Sequence, residues 1–235
     1  YVADNGNDRV AVLDPDTLKM MGSIGESELS APHDAAFDHN GRLLVADSGN
    51  DRVVLYTVNG TRSELVAVIK GGFRRPEGVA AYAGDRVYVT GAYSDNLVTF
   101  ENGVKVSALS DMSGPHDVET DDAGNILIVD SNNDRLLIVG PDMQIMKTLS
   151  GAPYNFNGPR YAFYDEAGRL YVADKNAHMV KVIGVDYELL GTIGTGKPGK
   201  APGQLNKPEG IAVLGKDVWI SDTYNNRIVR YKITE

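Results

Sequence analysis

Two tripeptides carry the residue types most able to do chemistry: Pro32-His33-Asp34 and Pro115-His116-Asp117, with Pro208-Glu209 as a third member in the same context. Two imidazoles and one carboxylate form a donor set that suits Zn or another divalent cation while leaving a position open for water or substrate. Pro76-Glu77 and Pro159-Arg160 occupy the intervening places. Arg160 could hold a substrate carboxylate or oppose negative charge developing on oxygen, Glu77 could contact the same ligand, and Asp34 or Asp117 could orient a histidine or act as a base. Metal-assisted lyase or hydrolase action needs no more than this set. The competing expectation is a wet polar mouth whose side chains never converge. Neither a G-x-S-x-G elbow nor an HExxH helix occurs, so serine-hydrolase and zincin mechanisms have no support.

What must bring these distant residues together is a repeat of about 40 to 48 residues. Six segments pair an apolar run, a polar turn and a second apolar run: those from Tyr1, Leu43, Val87, Leu127, Leu170 and Val218. Asp4, Asp47, Asp130, Asp174 and Asp222 align, with Thr90 as the exception; five residues on come Arg9, Arg52, Arg135 and Arg227, with Asp95 and Met179 as exceptions. Five of the segments are preceded by a proline-led apolar run, at Pro32, Pro76, Pro115, Pro159 and Pro208, and several of these runs end in a Gly-closed turn. A fourth run, such as SELVAVI or IMKTLS, lies between one unit's paired runs and the next proline. Four short strands per unit and no apolar helical stripe predict an all-β, six-bladed propeller of four-stranded antiparallel blades rather than a β-solenoid, whose rungs are shorter. The units run approximately 1–31, 32–75, 76–114, 115–158, 159–207 and 208–235. In a propeller the inner strands line an axial channel, so His33, His116 and Glu209, on alternate blades, could point at one place.

The first unit lacks its inner strand and the last lacks its outer one. Either a segment of about 20 to 30 residues upstream of Tyr1 is expected to complete the ring, since a closed propeller borrows one blade's strand from the other end of the chain, or the ring closes imperfectly. The repeated Asp and Arg are expected to be scaffold, the Asp accepting backbone N–H groups across its turn and the Arg pairing with it. His178 shares its slot with Asp8, Asp51, Asp134 and Asn226 and is read the same way.

Composition excludes other classes. With 42% hydrophobic and 23% charged residues in 235, the chain can bury a sizeable core. Its net charge of −9 disfavours a nucleic-acid partner. No run approaches the roughly 20 apolar residues that span a bilayer. The absence of cysteine removes disulfides, thiolate metal sites and a cysteine nucleophile.

The proline-led strand followed by V-A-D-x-x-N-x-R-I/V, clearest from Pro208 to Tyr231, resembles the NHL-repeat propellers, and the resemblance extends over essentially all of the chain. It implies a six-bladed fold and a broad range of roles, from protein- and RNA-binding modules to sensors and a few enzymes. Peptidyl-hydroxyglycine amidating lyases are similar in carrying Pro-His motifs on alternating blades, whose histidines hold zinc near an arginine and a tyrosine. His33 and His116 match two of those motifs, each followed by an aspartate, while Glu209 stands at the third. The arginine and tyrosine would fall to Arg160 and to Tyr93 or Tyr161.

Three functional classes follow. The leading one is a binding or sensing propeller that takes a protein, peptide or small molecule at one loop-rich face and the channel mouth. Tyr93, Tyr154, Phe156, Tyr161 and Tyr224 are its candidate aromatic contacts, Tyr154 and Phe156 within the loop GAPYNFNGPR. The alternative is a zinc-dependent lyase or hydrolase built on His33, His116 and Glu209. The third is a scaffold domain of a larger protein. The non-Met start and the habits of the family point to a secreted, periplasmic or extracellular setting, whereas the oligomeric state is not legible in the sequence.

Overall fold

The computed structural model describes residues 1–233, and they form 22 strands in six antiparallel sheets. The chain divides into two compact units, residues 1–120 and 121–235.

In the first unit, β1 (Val2–Asp4), β2 (Arg9–Leu13) and β3 (Met20–Ile24) make a three-stranded sheet. Two full sheets follow, β4 (Pro32–Phe37), β5 (Arg42–Asp47), β6 (Arg52–Asn59) and β7 (Arg62–Lys70), then β8 (Pro76–Tyr82), β9 (Arg86–Gly91), β10 (Asn96–Glu101) and β11 (Val104–Leu109). The unit ends on β12 (Pro115–Thr120), the strand that opens the fourth blade. The second unit holds β13 (Ile126–Asp130), β14 (Arg135–Val139) and β15 (Ile145–Leu149), then the sheet of β16 (Pro159–Tyr164), β17 (Leu170–Asp174), β18 (Met179–Ile183) and β19 (Leu189–Ile193). It closes with the three-stranded sheet β20 (Ile211–Leu214), β21 (Asp217–Asp222) and β22 (Arg227–Lys232). This is the six-bladed propeller that the repeat predicts, with the first and last blades three-stranded. The sixth inner strand begins at Ile211, three residues later than the proline signature suggested.

The strands form where the sequence offers short β-branched and aliphatic runs between turn residues. Second strands such as Arg42–Asp47 are buried almost throughout, on both faces, because neighbouring blades cover each side. Leu44, Val53, Ile69, Phe73, Val79 and Val89 form one such layer between the second and third blades. Leu127, Val129, Ile138, Ala162 and Val172 form the equivalent layer between the fourth and fifth. The fourth strands are mostly exposed.

Each Asp that ends a second strand opens a short 3₁₀ turn, and the residue four places on sits in the left-handed region: Asp8, Asp51, Asp134, His178 and Asn226. Asn, Asp and His tolerate that conformation better than other non-glycine residues, which explains the slot. In the third blade the strand pair places Gly91 opposite Asn96, so these two, not Thr90 and Asp95, replace the Asp and Arg. Asp95 instead has the positive φ of the turn slot.

Asp47, Asp130, Asp174 and Asp222 are fully buried, whereas Asp4 in the first blade is partly exposed. Asp47 accepts from Ser30 N at 2.7 Å, Asn50 Nδ2 at 2.9 Å and Arg52 Nε at 2.6 Å. The N–H it takes comes from the loop leading into the inner strand, not from the turn that follows. The turn-slot residue holds the next inner strand. Asp8, Asp51, Asp95 and Asp134 accept from the N–H of Ala31, Arg75, Gly114 and Gly158, and His178 Nδ1 accepts from Lys207 N. Every one of these held residues precedes an inner-strand proline signature and has a positive φ. The start of each inner strand is thereby fixed against the preceding blade.

Candidate functional site

Immediately after those prolines the ladder slips. Register shifts lie between Pro32 and Asp34 in β4 and between Pro76 and Gly78 in β8, so His33 and Glu77 fall at bulges that re-aim their side chains. A second device brings the next strand close. Gly78 has no Cβ, and one placed there would lie 2.6 Å from Asp117 Cα and 2.8 Å from Val118 N. The β8 and β12 backbones can approach only because this position is glycine. Asp34 Oδ2 accepts from Val79 N at 2.9 Å, tying β4 to β8.

Three inner strands of the first unit therefore present one cluster. Glu77, with its side chain 4% exposed, receives Arg75 Nε on Oε1 at 2.7 Å and His116 Nε2 on Oε2 at 2.7 Å. His33 Nδ1 stands 3.8 Å from the same Oε2, an electrostatic contact beyond hydrogen-bond length. The imidazoles of His33 and His116 sit edge to face with centroids 6.3 Å apart, and their side chains remain 18% and 15% exposed. The Arg75 guanidinium also lies 3.1 Å from His33 Nε2 and 5.1 Å from the centre of the exposed Tyr93 ring. A guanidinium only donates, so His33 Nε2 is the acceptor and its ring proton is on Nδ1, toward Glu77.

The electrostatics are strongly asymmetric. Burial opposes ionisation of Glu77, but the His116 hydrogen bond, the charges of His116 and His33 and the Arg75 bond together prevail, and its pKa falls to about 2. Glu77 is thus a fixed anion beside the Arg75 guanidinium and the two imidazoles. A few residues along the same strands the balance reverses. Burial pushes Asp34 up to about 6 against the two backbone N–H groups it accepts, and burial with the charges of Asp117 and Asp34 raises Glu119 well above the usual range.

The other expected residues are placed as follows. Asp117 is buried and accepts from Val118 N at 2.8 Å. Glu209 is in the second unit, ion-paired with Lys175. Arg160 lies half-buried on β16, beside the buried Tyr161. Tyr154 and Phe156 stack at 5.5 Å and pack on the layer between the fourth and fifth blades, with Lys181 over the Phe156 ring; Tyr154 donates to the Tyr187 carbonyl. Their loop turns its rings into the core because Leu149, Ile183 and Leu189 leave an apolar surface there to cover.

The donor set does not fit the expected zinc. His33 Nε2 and His116 Nε2 face Arg75 and Glu77, the Glu209 carboxylate is held by Lys175, and a guanidinium lies within the cluster. Among the described residues no group of three or more His, Asp or Glu is disposed to hold a metal ion. Sequence reasoning missed Arg75, although its signal was present: it is the one arginine in the left-handed slot before an inner-strand proline, where Ala, Gly or Lys stands in the other blades.

The NHL repeat profile matches residues 205–231. No curated protein sequence matches the chain. Among solved structures, it is similar to a streptogramin B lyase (10% identity, 98% of this chain and 78% of that one, TM-score 0.70). It is similar also to a protein of unknown function from Bacteroides caccae (13% identity, 97% and 87%, TM-score 0.74). A third is a catalytically inactive histidine-to-alanine variant of virginiamycin B lyase from Staphylococcus aureus, with quinupristin (13% identity, 97% and 78%, TM-score 0.68). The repeat match, the six sheets and these likenesses agree: the protein is a six-bladed β-propeller of the NHL-repeat type.

Proposed function

We propose that this chain is a lyase acting at His33, His116, Glu77 and Arg75. The observation that carries the reading is Glu77, a buried anion bridging His116 and Arg75 beside a second, partly exposed imidazole. Paired imidazoles on a fixed carboxylate are an acid–base arrangement. His33, unprotonated at Nε2, takes a proton from carbon next to a carbonyl. The electron pair left behind forms the new double bond, the bond to the leaving group on the neighbouring carbon breaks, and that group leaves with its pair and takes a proton from solvent, while His116 holds Glu77 in place. Arg75 opposes the charge that develops on the carbonyl oxygen. No water is consumed, which separates this reaction from hydrolysis.

The similarity to two proteins described as lyases, one through an inactive histidine variant, supports this reading over the purely binding role that led the sequence reading. A binding role keeps one observation in its favour: Tyr93 and Tyr224 are more than half exposed, each with a cation over its ring. Quinupristin, the compound named with the virginiamycin B lyase, is the first probe, followed by esters and amides with a leaving group β to the carbonyl. Product of unchanged total mass, lost in His33→Ala and His116→Ala, supports the proposal. Binding of a probe without turnover favours the binding role.

A further inference from the structure

We infer that Arg75 is the binding site for a carboxyl oxygen of the substrate, and that its bond to His33 caps the base until that oxygen takes its place. The inference rests on the lyase reading of the same cluster. Arg75 is divided between a fixed and an exchangeable contact. Its Nε is anchored on the buried Glu77 at 2.7 Å, while the neighbouring terminal nitrogen rests on His33 Nε2 at 3.1 Å. Its backbone is pinned as well, with a φ of 48°, an N–H held by Asp51 at 2.6 Å and Pro76 next in the chain.

Nε thus stays on Glu77, and the terminal-nitrogen contact with His33, the longer of the two, is the one that a ligand oxygen replaces. On the solvent side the guanidinium lies over the Tyr93 ring, which is 64% exposed, and the arginine side chain itself is 33% exposed. A ligand can reach it there. For a carboxylate the exchange runs downhill, because its bond to arginine is charge-assisted at both ends and the bond to a neutral imidazole at one end only; for an ester or amide the matching anion is the oxygen that gains charge as the C–H proton leaves. A carboxyl oxygen on Arg75 also sets the adjacent C–H beside the uncapped Nε2. The substrate class is accordingly one whose acidic C–H adjoins a carboxyl-derived oxygen, and an amine or hydrocarbon leaves His33 capped.

The test reads the reactivity of His33 and needs no turnover. Diethyl pyrocarbonate acylates unprotonated imidazole nitrogen, and mass spectrometry of the His33 and His116 peptides separates the two rings. Arg75→Gln should raise the rate at His33 about tenfold, as expected for loss of one hydrogen bond, with His116 changed less than about twofold. Benzoate added to the unaltered protein should accelerate modification of His33 saturably and have no effect on Arg75→Gln. Circular dichroism checks the fold. Should Arg75→Gln fail to fold, Arg75→Lys keeps a cation near Tyr93 but cannot span both Glu77 and His33, and should give an intermediate rate. An equal His33 rate in the unaltered and variant proteins, or benzoate leaving that rate unchanged or lower, overturns the inference. Turnover that still depends on His33 would in that case leave the lyase reading standing, and turnover indifferent to His33→Ala would remove the lyase reading alone.

Discussion

Glu77 is the residue on which the cluster turns. Replacing it with glutamine removes the anion that His116 and Arg75 share, leaving two cationic groups beside a neutral amide. Product formation should fall at least ~100-fold, as for loss of an acid–base pair, and denaturant titration should show a loss of ~3 kcal/mol. The titration behaviour of the neighbouring carboxylates gives a second prediction. Asp34, raised to about 6, binds a proton in the folded chain that the unfolded chain has already released, so its penalty is full above about pH 6 and shrinks as the pH falls toward the ordinary carboxylate range near 4. Glu119 shifts in the same direction. Glu77, lowered to about 2, contributes stability above the ordinary range that is lost as the pH falls toward 2. Denaturant midpoints should therefore rise from pH 8 to about pH 5 and fall below about pH 4. Glu119→Gln, which removes one buried charge at nearly constant shape, should flatten the upper part of that curve and stabilise the chain at pH 8 by ~1 kcal/mol. A midpoint that falls steadily between pH 8 and pH 5 would contradict the assignment.

At the scale of the strand and turn, two positions carry the geometry. Gly78→Ala would drive a Cβ into the Asp117 and Val118 backbone, which has no room to yield without separating β8 from β12. A loss of ~2–3 kcal/mol is expected in thermal or chemical unfolding, with turnover reduced by displacement of His116 from Glu77. Asp47→Ala would orphan Ser30 N and Arg52 within a buried turn, at a cost of ~3 kcal/mol. Because Asp47 lies in the scaffold, residual activity per folded molecule should stay near that of the unaltered protein, a difference that activity assays on purified folded protein can read. The Asp and Arg of each turn were legible because their spacing recurs. The third blade was misread by one residue because Gly91 and Asn96 keep the register while losing both charges, and only the pairing of β9 with β10 reveals it. Tyr154 and Phe156 looked like a ligand platform because a loop sequence does not show which apolar surface lies beneath it.

For the whole molecule, the period in the sequence conveyed the six sheets, their strand order and the two three-stranded blades, since each blade repeats the same solution to burying both faces of its second strand. The site was legible only in part. His33, His116 and Glu77 were marked by their place after proline; the spacing of alternate blades suggested Glu209 as the third partner, whereas within the first unit the bulges of β4 and β8 bring Glu77 to the two histidines. A bulge depends on how neighbouring strands approach, and no residue type announces it. Arg75 went unnoticed because a residue before proline reads as a connector. The most direct test of the central claim is the reaction of the purified chain with quinupristin and the β-substituted ester panel in ¹⁸O-labelled water, analysed by mass spectrometry. Unsaturated product free of ¹⁸O, absent in His33→Ala and His116→Ala, is the predicted result. Product that carries ¹⁸O, or turnover that survives both substitutions, would contradict it.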